Sequence, residues 1–320
     1  MKKIIMTAMV ILALCTPGFA KTYAVSVNQF VEHPSLDAVL KGFQDSLKAQ
    51  GVPATYAVHN AQANMATANQ IASQIAGENP DLVLAIATPS AQTCALATKK
   101  SPSLAKTPLL FTAITDPVGA GLVDNLERPG KNITGVSDML PVDKHMAMLR
   151  RFYPGLKKLG MIYNAGEANS KTTVAMVQAE GAKVGFEVVA VPVAKTSDVY
   201  QAAKSLIGKV DAIYLPTDNT VISSLESVVK VCEKEKMPLF SADVDSVKRG
   251  TVAALAFDYY QHGYQTGLMA KRLLMDGADS AVTPVETQQE LVLHLNLKAA
   301  AKMGVKVPDD VKKNADKVYD

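Results

Sequence analysis

The sequence predicts an α/β fold built from doubly wound parallel sheets, and three observations carry that prediction. Two apolar runs, Leu82–Ala87 and Leu109–Thr112, are too short for helices and too uniformly apolar for half-wet strands, so they read as buried parallel strands. Strand-like and helix-like segments alternate along most of the chain, the pattern of βαβ units. That alternation halts around Gly130-Lys131-Asn132 and then begins again. The chain has 320 residues, which suits about two domains.

The elements follow in order. Thr22–Gln29 alternates as a first strand, and His33-Pro34 opens a helix over Ser35–Gln50, with Pro34 suited to the first turn and Gly51 to the stop. Pro53–His59 is the second strand and Met65–Ala76 the second helix. The two buried strands come next, separated by a helix over Ala91–Lys99. Past Asn132 the pattern predicts helix Val142–Phe152, strand Lys158–Tyr163, helix Lys171–Val184, strand Glu187–Val193, helix Asp198–Ile207, strand Ala212–Leu215, helix Val221–Glu235 and strand Leu239–Ser241. The end of the chain does not make a third domain. It offers strand Thr251–Phe257, an amphipathic helix Gln261–Met275, strand Glu290–Leu295 and a short helix Leu297–Lys302. We expect the chain to return to the first body with the helix after Asp258 and to recross near Pro284. That gives lobes of residues 21–137 plus 258–283 and 138–257 plus 284–320, joined by three crossings.

With 48% hydrophobic residues the chain can bury sizeable cores, and its 33 basic against 30 acidic residues leave +3, no field for a nucleic acid. Residues 1–20 have the three parts of a secretory signal: Lys2-Lys3, the apolar run Ile4–Leu14, and the small-residue ending Gly18-Phe19-Ala20. The expected mature start is Lys21, outside the cytoplasm. Cys15 admits a lipid anchor, but Leu14 stands where a lipoprotein signal has a small residue. Cys94 and Cys232 fall in helices of different bodies and are expected to be free, buried thiols. No Cys/His spacing suits a metal, and no cofactor is expected.

Candidate binding residues lie at the carboxyl ends of strands, where ligands of open α/β sheets sit. Thr88-Pro89-Ser90 and Thr115-Asp116-Pro117 end the two buried strands, and Ser90 is expected as N-cap or first residue of its helix, offering hydroxyl and amides to a carboxylate. In the second body the strand ends carry Asn164 with Asn169-Ser170, then Asp218-Asn219-Thr220, then Asp243. A zwitterion in the cleft needs donors for its carboxylate and charged acceptors for its ammonium. Thr88 and Ser90 suit the first; Asp218 and Asp243 suit the second; Asn164 and Asn219 bridge either. Each also has a plainer role as cap or turn residue. Phe30, Tyr163, Phe257 and Tyr259 sit at strand ends or crossings, as stacking partners or core plugs.

Several stretches resemble a known family: Glu32-His33-Pro34-Ser35-Leu36-Asp37, Ala87-Thr88-Pro89-Ser90-Ala91-Gln92, Phe111–Gly119, Asn132–Val136, Pro216–Thr220 and Asp258–Gly263. In one order and across almost the whole mature chain, they are similar to ABC-transporter substrate-binding proteins of the type that binds tryptophan or tyrosine. The resemblance implies a type I periplasmic-binding-protein fold, two Rossmann-like domains that close over a small molecule. It further implies a monomer that delivers an aromatic or large apolar L-amino acid to a membrane permease driven by a separate ATPase. The chain carries no GxxxxGK[ST] loop, so ATP hydrolysis belongs to a partner. An enzyme would need a base, nucleophile or cofactor motif, and neither GxSxG nor HExxH is present. A sensor presenting ligand to a membrane receptor would share every feature named so far.

Overall fold

The computed structural model describes residues 21–320; the expected leader over residues 1–20, with Cys15, lies outside them. The first body starts with β1 (Tyr23–Gln29), α1 (Pro34–Ala49), β2 (Ala54–Asn60), α2 (Met65–Glu78), β3 (Leu82–Ile86), α3 (Thr88–Lys100), β4 (Leu109–Ile114) and β5 (Ile133–Ser137). All these strands pair in parallel, in the order β5-β4-β3-β1-β2, which is a doubly wound sheet. Every residue of β3 and β4 is buried, as unbroken apolar runs require.

The second body repeats the winding with α4 (Val142–Phe152), β6 (Lys158–Asn164), α5 (Ala168–Val184), β7 (Glu187–Val193), α6 (Val199–Leu206), β8 (Ala212–Leu215), α7 (Asn219–Ser223), α8 (Leu225–Glu235) and β9 (Leu239–Ser241). Its sheet order is β7-β6-β8-β9, again parallel. A short α9 (Asp245–Arg249) leads to β10 (Ala253–Ala256).

The chain then returns. Helix α10 (Tyr259–Leu274) lies along α1, and its Met269, Ala270 and Leu273 belong to the first core. The two helices meet through glycines: a Cβ on Gly263 would overlap the Val39 carbonyl, and one on Gly42 would overlap the Tyr260 carbonyl. The first body keeps the chain longer than the sequence suggests. Val285 packs in its core and β11 (Glu286–Thr287) pairs with β5, so the third crossing follows Thr287 and not Pro284. Beyond it β12 (Val292–Asn296), α11 (Leu297–Lys302), α12 (Asp309–Lys313) and β13 (Lys317–Tyr319) complete the second body, with β12 antiparallel to β10.

The short elements α9, β11, α12 and β13 were not expected from the sequence, and four longer ones differ from the sequence reading. The third helix starts at Thr88 and not at Ala91, because Pro89 tolerates a first-turn position and Ala87 turns the chain at φ 77. Helix α5 starts at Ala168, not Lys171. The predicted Val221–Glu235 helix is two, since Ser224 leaves helical geometry between α7 and α8. Strand β5 went unread because Gly135 interrupts its apolar run; that glycine lets the strand lie against Phe111, where a Cβ would collide.

Among the described residues no helix is long and apolar enough to cross a membrane, and no group of side chains has the arrangement of a metal site. Cys94 and Cys232 are buried and free.

Candidate functional site

The carboxyl ends of both sheets face each other across a narrow pocket. Four elements build it. The start of α1 contributes His33, Ser35 and Leu36, and the end of β4 contributes Ala113 and Thr115. The start of α7 contributes Asp218, Asn219 and Ile222, and the crossings contribute Asp138 and Tyr259. Asn169, Thr217 and Asp243 complete the wall. Ala113 takes a left-handed backbone at φ 56, held by a hydrogen bond from its amide to His262 Nε2 at 3.1 Å. Such a conformation in a non-glycine residue costs on the order of 1–3 kcal/mol and is characteristic of sites where backbone must be aimed.

The pocket wall is acidic. Asp138, Asp218 and Asp243 are buried there, and among the described residues lining the pocket none is Lys or Arg. Asp218 is the N-cap of α7, accepting from Val221 N at 2.8 Å, while its other oxygen accepts from Asn164 N at 2.5 Å and Ser170 Oγ at 2.7 Å. Beneath it Glu167 accepts from the backbone amides of Asn219 and Thr220 at 3.2 and 3.1 Å, and from both their side chains. Burial, with Glu167 adding like charge, raises the Asp218 pKa to about 7. Asp243 accepts from Ser246 N and Ser246 Oγ and, across the cleft, from Ser35 Oγ at 3.1 Å. Burial lowers the His33 pKa to about 3, so its ring is neutral.

Of the residues singled out in the sequence, Thr115, Asp218, Asn219, Asp243 and Tyr259 line this pocket. The others do not. Ser90 is the third residue of α3, not its cap, and its hydroxyl donates to Asn28 Oδ1 at 3.0 Å inside the first body. Thr88 is the helix's first residue, with Oγ1 buried and unpaired. Asn164 serves its own body, donating from Nδ2 to Thr220 Oγ1 at 2.8 Å and accepting from Gly166 N. Asp116 caps a turn at Gly119 and accepts from Thr172 Oγ1 of α5 at 3.2 Å, a clasp across the cleft. Phe30 is a core plug, and Phe257 packs in the second core.

The sequence reading put Asn169 on the polar strand-end edge without assigning it a ligand contact, and it missed His33, Ser35, Leu36, Ala113, Asp138, Thr217 and Ile222 as pocket residues. A signal existed for most. His33–Leu36 opens a strongly amphipathic helix after a strand, and Asn169 and Thr217 stand beside strand ends. Asp138 was hidden with β5, whose carboxyl end it marks.

Three cross-cleft bonds, Ser35 to Asp243, Thr172 to Asp116, and Thr115 Oγ1 with Thr217 Oγ1 at 3.2 Å, show a closed cleft. Comparison with solved structures agrees. The chain matches an ABC domain in complex with L-Trp from Streptococcus pneumonia with a TM-score of 0.88, at 34% identity, covering 93% of this chain and 100% of that one. Against the ligand-free, open structure of a substrate binding protein with adhesive properties from Clostridium difficile, the TM-score is 0.69 at 37% identity, covering 93% and 99%. At similar identity, the lower score is against the structure described as open. In sequence the chain is 40% identical over 276 residues to a tyrosine-binding protein of Clostridioides difficile (strain R20291), covering 85% of this chain and 78% of that protein. Residues 24–319 match the family described as ABC transporter substrate binding protein. The chain belongs to that family and has its type I periplasmic-binding-protein fold.

Proposed function

We propose that this protein is the extracytoplasmic receptor of an ABC importer, that it takes up an aromatic or large apolar L-amino acid, and that it hands it to a permease driven by a separate ATPase. The observation that carries the reading is the composition of the closed pocket. Three buried carboxylates hydrogen-bonded to neutral donors, with no basic side chain among the pocket residues, favour a cationic group on the ligand. Leu36 and Ile222 supply an apolar wall for a side chain. The 16-residue helix α1 starts at the pocket with no side chain capping it, so its first-turn amides suit a carboxylate. We place the carboxylate there and not at Ser90, whose proton is committed to Asn28.

The relatives support the choice of ligand: one is named for tyrosine and another was solved with L-Trp. Binding without catalysis is part of the proposal, since Asp218 and Asp243 accept from helix-start amides and all three pocket carboxylates are held by protein donors. The leader of residues 1–20 would export the chain.

Titration calorimetry with L-tyrosine, L-tryptophan, L-phenylalanine, L-leucine and D-glucose tests this. The chain contains no Trp, so the fluorescence of added tryptophan reports on its own binding. Micromolar or tighter binding of an aromatic amino acid is expected, with a rise in melting temperature equivalent to about 2.7 kcal/mol at a hundredfold excess over Kd. Tight binding of the sugar with none of the amino acids would sink the proposal.

A further inference from the structure

The pocket has more acceptors than the protein can satisfy, and the shortage is localised. Asn169 donates its Nδ2 to the Thr217 carbonyl at 2.8 Å and also faces the Glu167 carboxylate, two groups that can only accept. Its amide orientation is therefore fixed, and Oδ1 is left buried without a partner. His33 Nδ1 lines the same pocket, also buried and unpaired. The three carboxylates differ in the same respect. Asp218 and Asp243 each cap a helix start and each accept from three protein donors. Asp138 caps nothing; its oxygens accept one hydroxyl each, Thr115 Oγ1 at 3.1 Å and Tyr259 at 2.8 Å. It is 2% exposed and keeps free lone pairs.

Asp138 and Asn169 are joined through one short chain of contacts. Thr115 Oγ1 reaches both Asp138 and Thr217 Oγ1, and Thr217 carries the carbonyl that Asn169 holds. We infer that the ligand's ammonium is bound between the Asp138 carboxylate and the Asn169 amide oxygen, and that Asp218 serves chiefly to build α7. The inference rests on the proposal that the ligand is an amino acid and deepens it by naming the amine subsite. An ammonium brings three donors and a positive charge to the part of the pocket that lacks both. Its position also explains how binding closes the cleft. Asp138 lies on the first crossing and is bonded to Tyr259 at the second, while Asn169 lies in the first turn of α5 in the second body. One amine thus ties the crossings to the far lobe.

The test compares L-tyrosine with 3-(4-hydroxyphenyl)propanoate, which lacks only the amine, by calorimetry on the wild type and on Asp138→Asn, Asp138→Glu, Asn169→Ala and Asp218→Asn. The wild type should prefer the amine by about a hundredfold or more, and Asp138→Asn should reduce that preference to below about tenfold. Asn169→Ala should reduce it by roughly tenfold, and Asp138→Glu, which keeps the charge, should retain most of it. Asp218→Asn should weaken both compounds and leave the ratio nearly intact. Circular dichroism identifies any variant that fails to fold. The inference is overturned if Asp138→Asn keeps the full preference, or if Asp218→Asn alone abolishes it. Binding of neither compound to the wild type would instead overturn the amino-acid proposal beneath it.

Discussion

Asp218 and His33 face the same pocket with opposite proton preferences, and the stability of the protein should record both. Burial and Glu167 raise Asp218 to about 7, and burial with Asp243 raises Asp245 to about 6. Burial lowers His33 to about 3 and His145, whose Nδ1 meets the Tyr214 hydroxyl at 2.6 Å, to about 4. A carboxyl with a raised folded pKa holds a proton that the unfolded chain has released, so its contribution is lost as pH rises from about 4 to 7. The buried histidines refuse protons that the unfolded chain accepts, so theirs is lost as pH falls below about 6.5. The two pairs oppose each other between about pH 4 and 6.5. Asp218→Asn removes one term. Relative to wild type its urea midpoint should improve steadily from pH 4.5 to 7 and level off above; a difference independent of pH would contradict the assignment. Asp218 also shows what the residue types could and could not convey. Its capping role and its place at the cleft were both legible from a strand end followed by a helix. That the cap would consume its lone pairs depended on Asn164 and Ser170, residues whose contacts no local pattern encodes.

The contact between α1 and α10 depends on glycine at the points where the two backbones approach. Adding a methyl at Gly263 would push it into the Val39 carbonyl, and neither helix can retreat without opening the first core. Gly263→Ala should therefore destabilise by about 3 kcal/mol or more, the upper range for overpacking. Gly77 in α2 makes the control, since a Cβ there meets nothing within 4 Å. Gly77→Ala should stabilise by about 0.5–1 kcal/mol through helix propensity. Chemical denaturation of both variants checks the pair, and equal effects would mean that the close approach has no energetic weight. At this scale most helices and strands were legible because their apolar spacing is local. Element starts were less so. The turn at Ala87 and the early start of α5 move Ser90 away from the pocket and Asn169 into it, through backbone angles that residue identity alone does not fix.

Closure is a property of the whole molecule, held in the described form by three side-chain bonds across the cleft. Hydrogen bonds of this kind, one buried and two half-buried, contribute only about 0.5–3 kcal/mol each. Without ligand the open form should dominate, and X-ray scattering should give a smaller radius of gyration once a saturating amino acid is added. An unchanged radius at saturation would count against ligand-driven closure. The doubled winding of the two bodies was legible from the restart of the pattern after Asn132, whereas the late third crossing was not, since β11 is only two residues long and is defined by its partner.

The return of α10 to the first body also sets an order of events during synthesis. The helix that covers α1 is made only after the second sheet is complete, so a nascent chain carries the glycine face of α1 bare for most of its emergence. The first lobe cannot reach its final packing as an independent early unit. A fragment ending at Phe257 should show strand and helix signal without a cooperative melt, and adding a peptide of residues 258–287 should restore one.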